Sequence, residues 1–91
     1  MEFAKFTLDE GSAVNKIIDR AKKLGKQYGI KIDHLGLRMD LSATHAQCPL
    51  RLTELAEADE FNFVHDVFGI MRHMNRSTGV LDKTFCPRFA R

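Results

Sequence analysis

The apolar residues Val14, Ile17, Ile18, Ala21, Leu24 and Tyr28 set the strongest constraint in this sequence. They recur at helical spacing, while Lys16, Arg20, Lys22, Lys23 and Lys26 mostly fall on the opposite side. A helix with one apolar face must cover that face, so the rest of the chain has to pack onto it. The spacing predicts this helix over roughly residues 12–27, with Asp9 or Ser12 as N-cap and Gly25 and Gly29 as stops. Lysine and arginine gather toward its end, where the helix dipole favours cations.

With 91 residues and a hydrophobic fraction of 44%, the chain holds one small core and no second domain. A core of this size gives modest stability unless the chain self-associates, so a homo-oligomer is consistent with it. No apolar run approaches the roughly 18 residues that read as a membrane span. Met1-Glu-Phe-Ala-Lys carries an acidic residue and no apolar stretch, so it does not read as a secretory signal. Two cysteines, Cys48 and Cys86, are too few for a small secreted disulfide scaffold. Reduced thiols in a cytoplasmic protein are the favoured reading, with a single bridge or metal ligation as alternatives.

Beyond the first helix the pattern is less uniform. Residues 1–8 are mixed, with Phe3, Phe6 and Leu8 available to dock on a core. Leu35, Leu37, Met39 and Leu41 alternate as a half-buried strand would, yet Ile32, Leu35, Met39, Ala43 and Ala46 form a helical stripe with Asp33 as cap. The helix is favoured, ending before Cys48-Pro49, because a residue preceding proline is pushed out of the α region. Residues 50–58 read as a short helix with Thr53 as cap and Leu52, Leu55 and Ala56 inward. Asp59-Glu60 introduce another over residues 61–68, where Phe63, Val64, Val67 and Phe68 can pack.

Past Gly69 the period changes. Asn75-Arg-Ser-Thr-Gly79 has the composition of a hairpin loop, and Ile70, Arg72 and Met74 alternate opposite Leu81, Lys83 and Phe85. A continuous helix through Met74, carried by Val67, Ile70, Met71 and Met74, competes with this hairpin. The hairpin is favoured, with Pro87 ending the pairing or lying on its edge. The expected architecture is α+β: a helix-dominated small single domain, residues 1–91, with a C-terminal β-hairpin.

The net charge of +2 conceals a segregated pattern. Residues 1–49 hold 8 basic and 6 acidic groups, residues 50–70 hold 1 and 5, and residues 71–91 hold 5 and 1. The overall balance excludes a histone-like polycation and an acidic nucleic-acid mimic. It leaves a basic C-terminal arm beside an acidic centre.

Several residues carry candidate chemistry. His45, Cys48, His65, His73 and Cys86 are zinc-type ligands, and His45-Ala-Gln-Cys48 has a ligand-like gap, but no partner pair follows. His65-Asp66 is the dipeptide of HD phosphohydrolases, where it binds divalent metals that activate water. That fold needs further ligands on separate helices and a longer chain. Asp66 is instead expected to meet a helix dipole or an arginine, with His65 at a polar edge. Neither Gly-rich phosphate-loop motif occurs, and Cys–His pairs are open to any chain with these residues. The expectation is a non-enzymatic protein without metal or cofactor. Arg72, His73, Arg76 and Arg88, with Lys83 and Arg91, are interleaved with Phe85 and Phe89. Such a set suits phosphate and stacking contacts with a nucleic acid or nucleotide. The competing reading pairs these arginines with Glu54, Glu57, Asp59, Glu60 and Asp66 and places the phenylalanines in the core. On a hairpin, Arg72 and His73 point to opposite faces.

Cys48-Pro-Leu-Arg-Leu-Thr-Glu-Leu-Ala-Glu-Ala-Asp59, His65-Asp-Val-Phe-Gly-Ile70, Asn75-Arg-Ser-Thr-Gly79 and Pro87-Arg-Phe-Ala90 together resemble a family of small uncharacterised proteins encoded in bacteriophages and prophages. The resemblance covers about residues 33–90 and leaves out the N-terminal helix. It carries no catalytic residues. Relatives tend to place a leucine between cysteine and proline near the end, where this chain reads Cys86-Pro87 directly, so the geometry around Cys86 is not carried over. The resemblance implies a phage- or prophage-encoded binding protein in the bacterial cytoplasm. Such a protein would inhibit a host defence or other host factor, such as a nuclease complex in the manner of an anti-CRISPR protein, by stoichiometric contact. Its partner would be a host protein or nucleoprotein complex, and segregated charge suits such recognition. A nucleic-acid or nucleotide-binding module using the basic C-terminal arm is the alternative.

Overall fold

A computed structural model describes residues 6–91, so the expectations for Met1-Glu-Phe-Ala-Lys and for Phe3 lie outside the described residues. Helix α1 (Leu8–Tyr28) starts one turn earlier than its apolar stripe suggests. Thr7 is the cap: its Oγ1 accepts from the Glu10 N–H at 3.2 Å, and the Glu10 carboxylate accepts from the Thr7 N–H at 2.9 Å. This reciprocal capping box leaves Asp9 and Ser12 inside the helix rather than at its start. At the other end Gly29, at φ +68°, turns the chain out of the helix while its N–H bonds the Gly25 carbonyl. The expected stripe from Val14 to Leu24 is buried. Phe6 packs on the core edge, whereas Leu8 is 95% exposed and does not dock.

Helix α2 (His34–Gln47) begins at the expected cap, with the Asp33 carboxylate accepting from the Gly36 N–H at 3.1 Å, and ends before Cys48-Pro49. Its inward side matches the expected stripe at Ile32 and Ala43 but not at Leu35, Met39 and Ala46. Leu37 and Leu41 are buried with Asp40 and Thr44, while Leu35 and Met39 are 69% and 53% exposed. The alternation that imitates a strand arises because apolar residues lie on both sides of this helix, Leu37 and Leu41 inward and Leu35 and Met39 outward. Asp40 lies inside because Arg76 reaches it from the hairpin turn, with Nε at 3.2 Å and Nη2 at 2.8 Å.

Helix α3 (Leu52–Ala56) sends Leu52, Leu55 and Ala56 inward as expected. Its cap position is Arg51, without a side-chain hydrogen bond, rather than Thr53. Arg20 of α1 closes the far end, donating to the carbonyls of Ala56 and Ala58 with its guanidinium 4.5 Å above the Phe63 ring. Helix α4 (Glu60–Phe63), capped by Asp59, runs directly into a π-helical turn (Val64–Phe68) and then helix α5 (Gly69–His73). The helical reading of residues 70–73 therefore wins over the strand. Ile70 stays in the core by continuing the helix, and Lys83 and Phe85 have no strand partners.

Strands β1 (Met74–Asn75) and β2 (Val80–Leu81) form the C-terminal hairpin, with Met74 opposite Leu81 as expected. Asn75 Oδ1 accepts from the Ser77 N–H at 3.0 Å, and Gly79, at φ +71°, closes the turn. The Gln47 side chain ties the hairpin to α2, donating to the Gly79 carbonyl at 2.7 Å and accepting from the Leu81 N–H at 3.1 Å. The fold is thus helix-dominated α+β. Leu37 and Leu41 of α2, the inward face of α3, and Phe63, Val67 and Ile70 converge on α1. Pro87 lies beyond the hairpin in a tail that returns to the α2–α3 link. There the Arg51 N–H bonds the Phe89 carbonyl and the Arg91 N–H bonds the Pro49 carbonyl, each at 2.7 Å.

Burial pushes the Asp40 carboxyl above its ordinary pKa, and the Arg76 hydrogen bonds and charge pull it back down. A carboxyl whose pKa is raised on folding weakens the fold when ionised and is relieved as pH falls through that raised value. Arg76→Ala strands this charge without its partner. We expect it to lose about 2–4 kcal/mol at neutral pH and to recover part of that loss in mild acid, measured by urea denaturation at both pH values. A loss that is unchanged or larger in mild acid would contradict this account of Asp40.

Candidate functional site

His65, Gly69 and His73 follow one another at intervals of four residues. In an unbroken α-helix, residues eight apart are misaligned by about 80°. The π-helical turn accommodates one extra residue, which swings His73 back to the side that His65 occupies. Phe85, from the segment after β2, inserts between the two imidazoles. Its ring centroid lies 4.9 Å from that of His73, nearly parallel at 9°, and 5.6 Å from that of His65, tilted by 33°. Gly69 forms the floor beneath it. A Cβ at this position would come within 2.5 Å of two Phe85 ring carbons, so only glycine admits the ring at this depth.

Both histidines are oriented by carboxylates. His65 Nδ1 lies 2.8 Å from Asp66 Oδ1, and a carboxylate only accepts, so Nδ1 carries the proton of this bond. His73 Nδ1 lies 3.6 Å from Asp82 Oδ2. Asp82 is held by the backbone N–H and the hydroxyl of Thr84, each at 2.9 Å. These bonds, with a smaller contribution from His73, keep its carboxyl below the ordinary range. The Nε2 atoms of His65 and His73 bond no described residue.

Asp66 is fully buried. Its two oxygens accept the backbone N–H groups of Arg88 and Phe89, each at 2.9 Å, in addition to the His65 bond. The expected partner, a helix dipole or an arginine side chain, is replaced by the tail backbone. The Arg88 guanidinium lies elsewhere, 5.7 Å from the Phe61 ring centroid. The His65-Asp66 pair is therefore a helix-to-tail cross-link, with both carboxylate oxygens already engaged.

Beside the His65–Phe85–His73 stack runs an open groove of about 730 Å³. Ile30, Val64, Phe68 and Met71 supply its apolar surface, and Arg72 joins the two histidines as its polar part. None of the lining residues is acidic. Arg72 is exposed and makes no ion pair or hydrogen bond with a described residue. Because the helix continues, Arg72 and His73 line the same groove instead of facing apart. The apolar surface extends to Tyr28, whose ring meets Phe68 edge-on at 6.4 Å. Sequence reasoning singles out Arg72, His73, His65 and Asp66 but not Ile30, Phe68 or Met71. The available signal was the glycine in mid-helix with histidines four residues to either side.

The remaining candidates disperse. Arg76 is held by Asp40, and Arg88 sits in the tail, so the basic arm divides among α5, the hairpin turn and the tail. Arg72, Arg76 and Arg88 form no ion pair with the acidic centre: Glu54 pairs with Arg51 at 2.9 Å, Glu60 accepts from Tyr28 at 2.8 Å, and Asp59 caps α4. Phe89 packs partly on the core beneath the Arg51 guanidinium. His45 has both ring nitrogens engaged. Nδ1 accepts from the Leu50 N–H, and Nε2 lies on the Glu10 carboxylate, each at 2.9 Å. Cys48 is half-buried, Cys86 is exposed, and both are free thiols. Among the described residues no three His, Cys, Asp or Glu side chains gather to hold a metal ion, so His45, Cys48, His65 and Cys86 form no shared site. No described helix is long and apolar enough to cross a membrane.

Residues 9–91 match a family of unknown function, DUF6874. No curated protein and no solved structure matches the chain.

Asp66→Ala leaves two tail N–H groups without their acceptor. We expect a loss of about 3 kcal/mol together with fast amide exchange at Arg88 and Phe89, read by denaturation and hydrogen exchange. Retained protection at both amides would refute the anchoring role. Gly69→Ala drives Phe85 out from between the imidazoles. NMR should show loss of the ring-current shifts on His65 and His73, while the amides of α1 stay protected.

Proposed function

The chain belongs to this family, and we propose that it is a phage- or prophage-encoded binding protein that inhibits a host factor by stoichiometric contact, without catalysis. The observation that carries this reading is the groove: an apolar surface fixed by the His65–Phe85–His73 stack and edged by the unpaired Arg72. A surface held rigid before binding loses less conformational entropy on docking. The polar groups that sequence chemistry singles out also support recognition over turnover, since Asp66 anchors the tail and His45 bridges α1 to the α2–α3 link. The phage setting, and with it the bacterial cytoplasm and a host protein or nucleoprotein complex as partner, rests on the resemblance of residues 33–90. A nucleic-acid or nucleotide-binding role draws less support, because Arg76 is committed to Asp40 and Arg88 lies in a different element from Arg72.

The test is retention of a host protein from bacterial lysate on the immobilised chain. We expect one bacterial protein retained in near-equimolar amount by the native chain and lost with Ile30→Glu or Arg72→Glu, two substitutions at exposed positions. Retention of nothing above background, or equal retention by both variants, would overturn the reading.

A further inference from the structure

We propose that His45, in the last turn of α2, is a pH-sensitive clasp: on taking up a second ring proton it releases the Leu50 N–H, and with it the link between α2 and α3.

Each hydrogen of this contact has a fixed place. An amide nitrogen donates and a carboxylate only accepts. The Leu50 N–H therefore donates to a bare His45 Nδ1 at 2.9 Å, and Nε2 carries the proton that meets Glu10 Oε2, also at 2.9 Å. The fold thus selects the neutral imidazole with its proton on Nε2. An imidazolium carries a proton on both nitrogens, so no rotation of the ring presents an acceptor to Leu50. Imidazole is the ordinary side chain whose charge changes between about pH 5 and 8, so mild acid can remove this bond.

The surroundings direct the effect to Nδ1. Glu10 Oε1 accepts the Thr7 N–H at 2.9 Å. That backbone bond chiefly holds the Glu10 carboxyl below its ordinary range, burial opposes it, and the Thr7 hydroxyl and His45 add smaller contributions. Glu10 therefore stays an anion in mild acid and holds Nε2–H in either charge state of the ring. The Phe6 ring, 5.7 Å from the imidazole, brings no charge. Asp9, Arg51, Glu54 and Arg91 line a cleft of about 210 Å³ beside Leu50, where Arg51 and Glu54 pair with each other at 2.9 Å. None of these four side chains bonds the imidazole.

The Leu50 bond supports the pairing of link and tail. Leu50 is fully buried and bridges to Ala90, between the Arg51–Phe89 and Arg91–Pro49 backbone bonds. These pairings lose their inner support when Leu50 is released. The Arg88 and Phe89 N–H groups remain on Asp66, so the opening stops short of the groove. The Asp40–Arg76 pair, which also responds to acid, touches neither side of the clasp.

NMR on the whole chain tests this. Near pH 8 the ring nitrogen shifts of His45 should show a bare Nδ1 and a protonated Nε2. On titration to about pH 5, amide protection at Leu50 should fall about tenfold with the same midpoint as the imidazole. Arg51 and Arg91 should follow, while Arg88 and Phe89 keep their protection. His45→Asn places a carbonyl oxygen where Nδ1 stands, so Leu50 should then stay protected across this range. Glu10→Gln keeps an oxygen for the Thr7 N–H but removes the charge that favours the imidazolium, so the midpoint should move to lower pH. A proton on Nδ1 near pH 8, a Leu50 amide still protected after His45 has titrated, or an equal loss in His45→Asn would overturn the proposal. So would a simultaneous loss of protection across α1, which marks acid unfolding of the whole chain. If His45→Asn does not fold, coincidence of the two midpoints in the native chain still decides.

Discussion

The carboxylate of Asp66, fully buried inside the π-helical turn, is the point on which the C-terminal third of this protein depends. An ionised carboxylate withdrawn from water carries a desolvation penalty of several kcal/mol unless donors surround its oxygens. Here two backbone N–H groups and an imidazole do so. Two of those donors belong to residues 88 and 89, so satisfying the charge and fixing the tail are the same event. The fixed tail in turn pairs with residues 49–51, ahead of α3, and so helps hold Leu50 and Leu52 in the core. The third bond, from His65 Nδ1 to Asp66 Oδ1, orients the imidazole at the edge of the groove. The buried Asp66 carboxylate thereby couples the docking of residues 88 and 89, core closure and the shape of the surface.

The π-helical turn connects this anchor to the candidate site. The inserted residue gives a rotational offset that no side-chain substitution could supply, and it puts His65 and His73 on one side of a helix with Gly69 between them. Phe85 then completes the wall from a segment distant in sequence. The groove is consequently built by backbone geometry first and side-chain identity second, which is why so few of its residues carry an obvious chemical signature.

Much of the fold was legible in the sequence, and its failures have physical causes. The face of α1 could be read because its buried residues are nearly all apolar. In α2 the helix could be read but its face could not, since Asp40 and Thr44 occupy inward positions where an apolar pattern expects leucine. Asp40 is tolerated there only through Arg76, thirty-six residues away, and no local pattern reports such a partner. The Met74–Leu81 register was visible in the turn composition of residues 75–79. The strand reading of residues 70–73 failed because Ile70 and Met74 fit both periods, and the helical stripe that also includes Val67 is the one the core buries. At the site, Arg72 and His73 were identified as surface groups. That they share a groove with Phe68 and Ile30 follows from helix continuity, which composition alone did not decide between two readings.

The Gln47 amide has a consequence for how partners can approach. It donates to the outward carbonyl of Gly79 and accepts from the outward N–H of Leu81, as a neighbouring backbone would. A two-stranded ribbon normally leaves the outer edge of each strand open, where another chain can add a strand or begin to aggregate. In this protein a side chain already occupies that row, so the hairpin offers no template there for an incoming peptide. Anything that meets this side of β2 meets the Gln47 side chain rather than open backbone, so contact there depends on side-chain shape and charge, which substitution can tune.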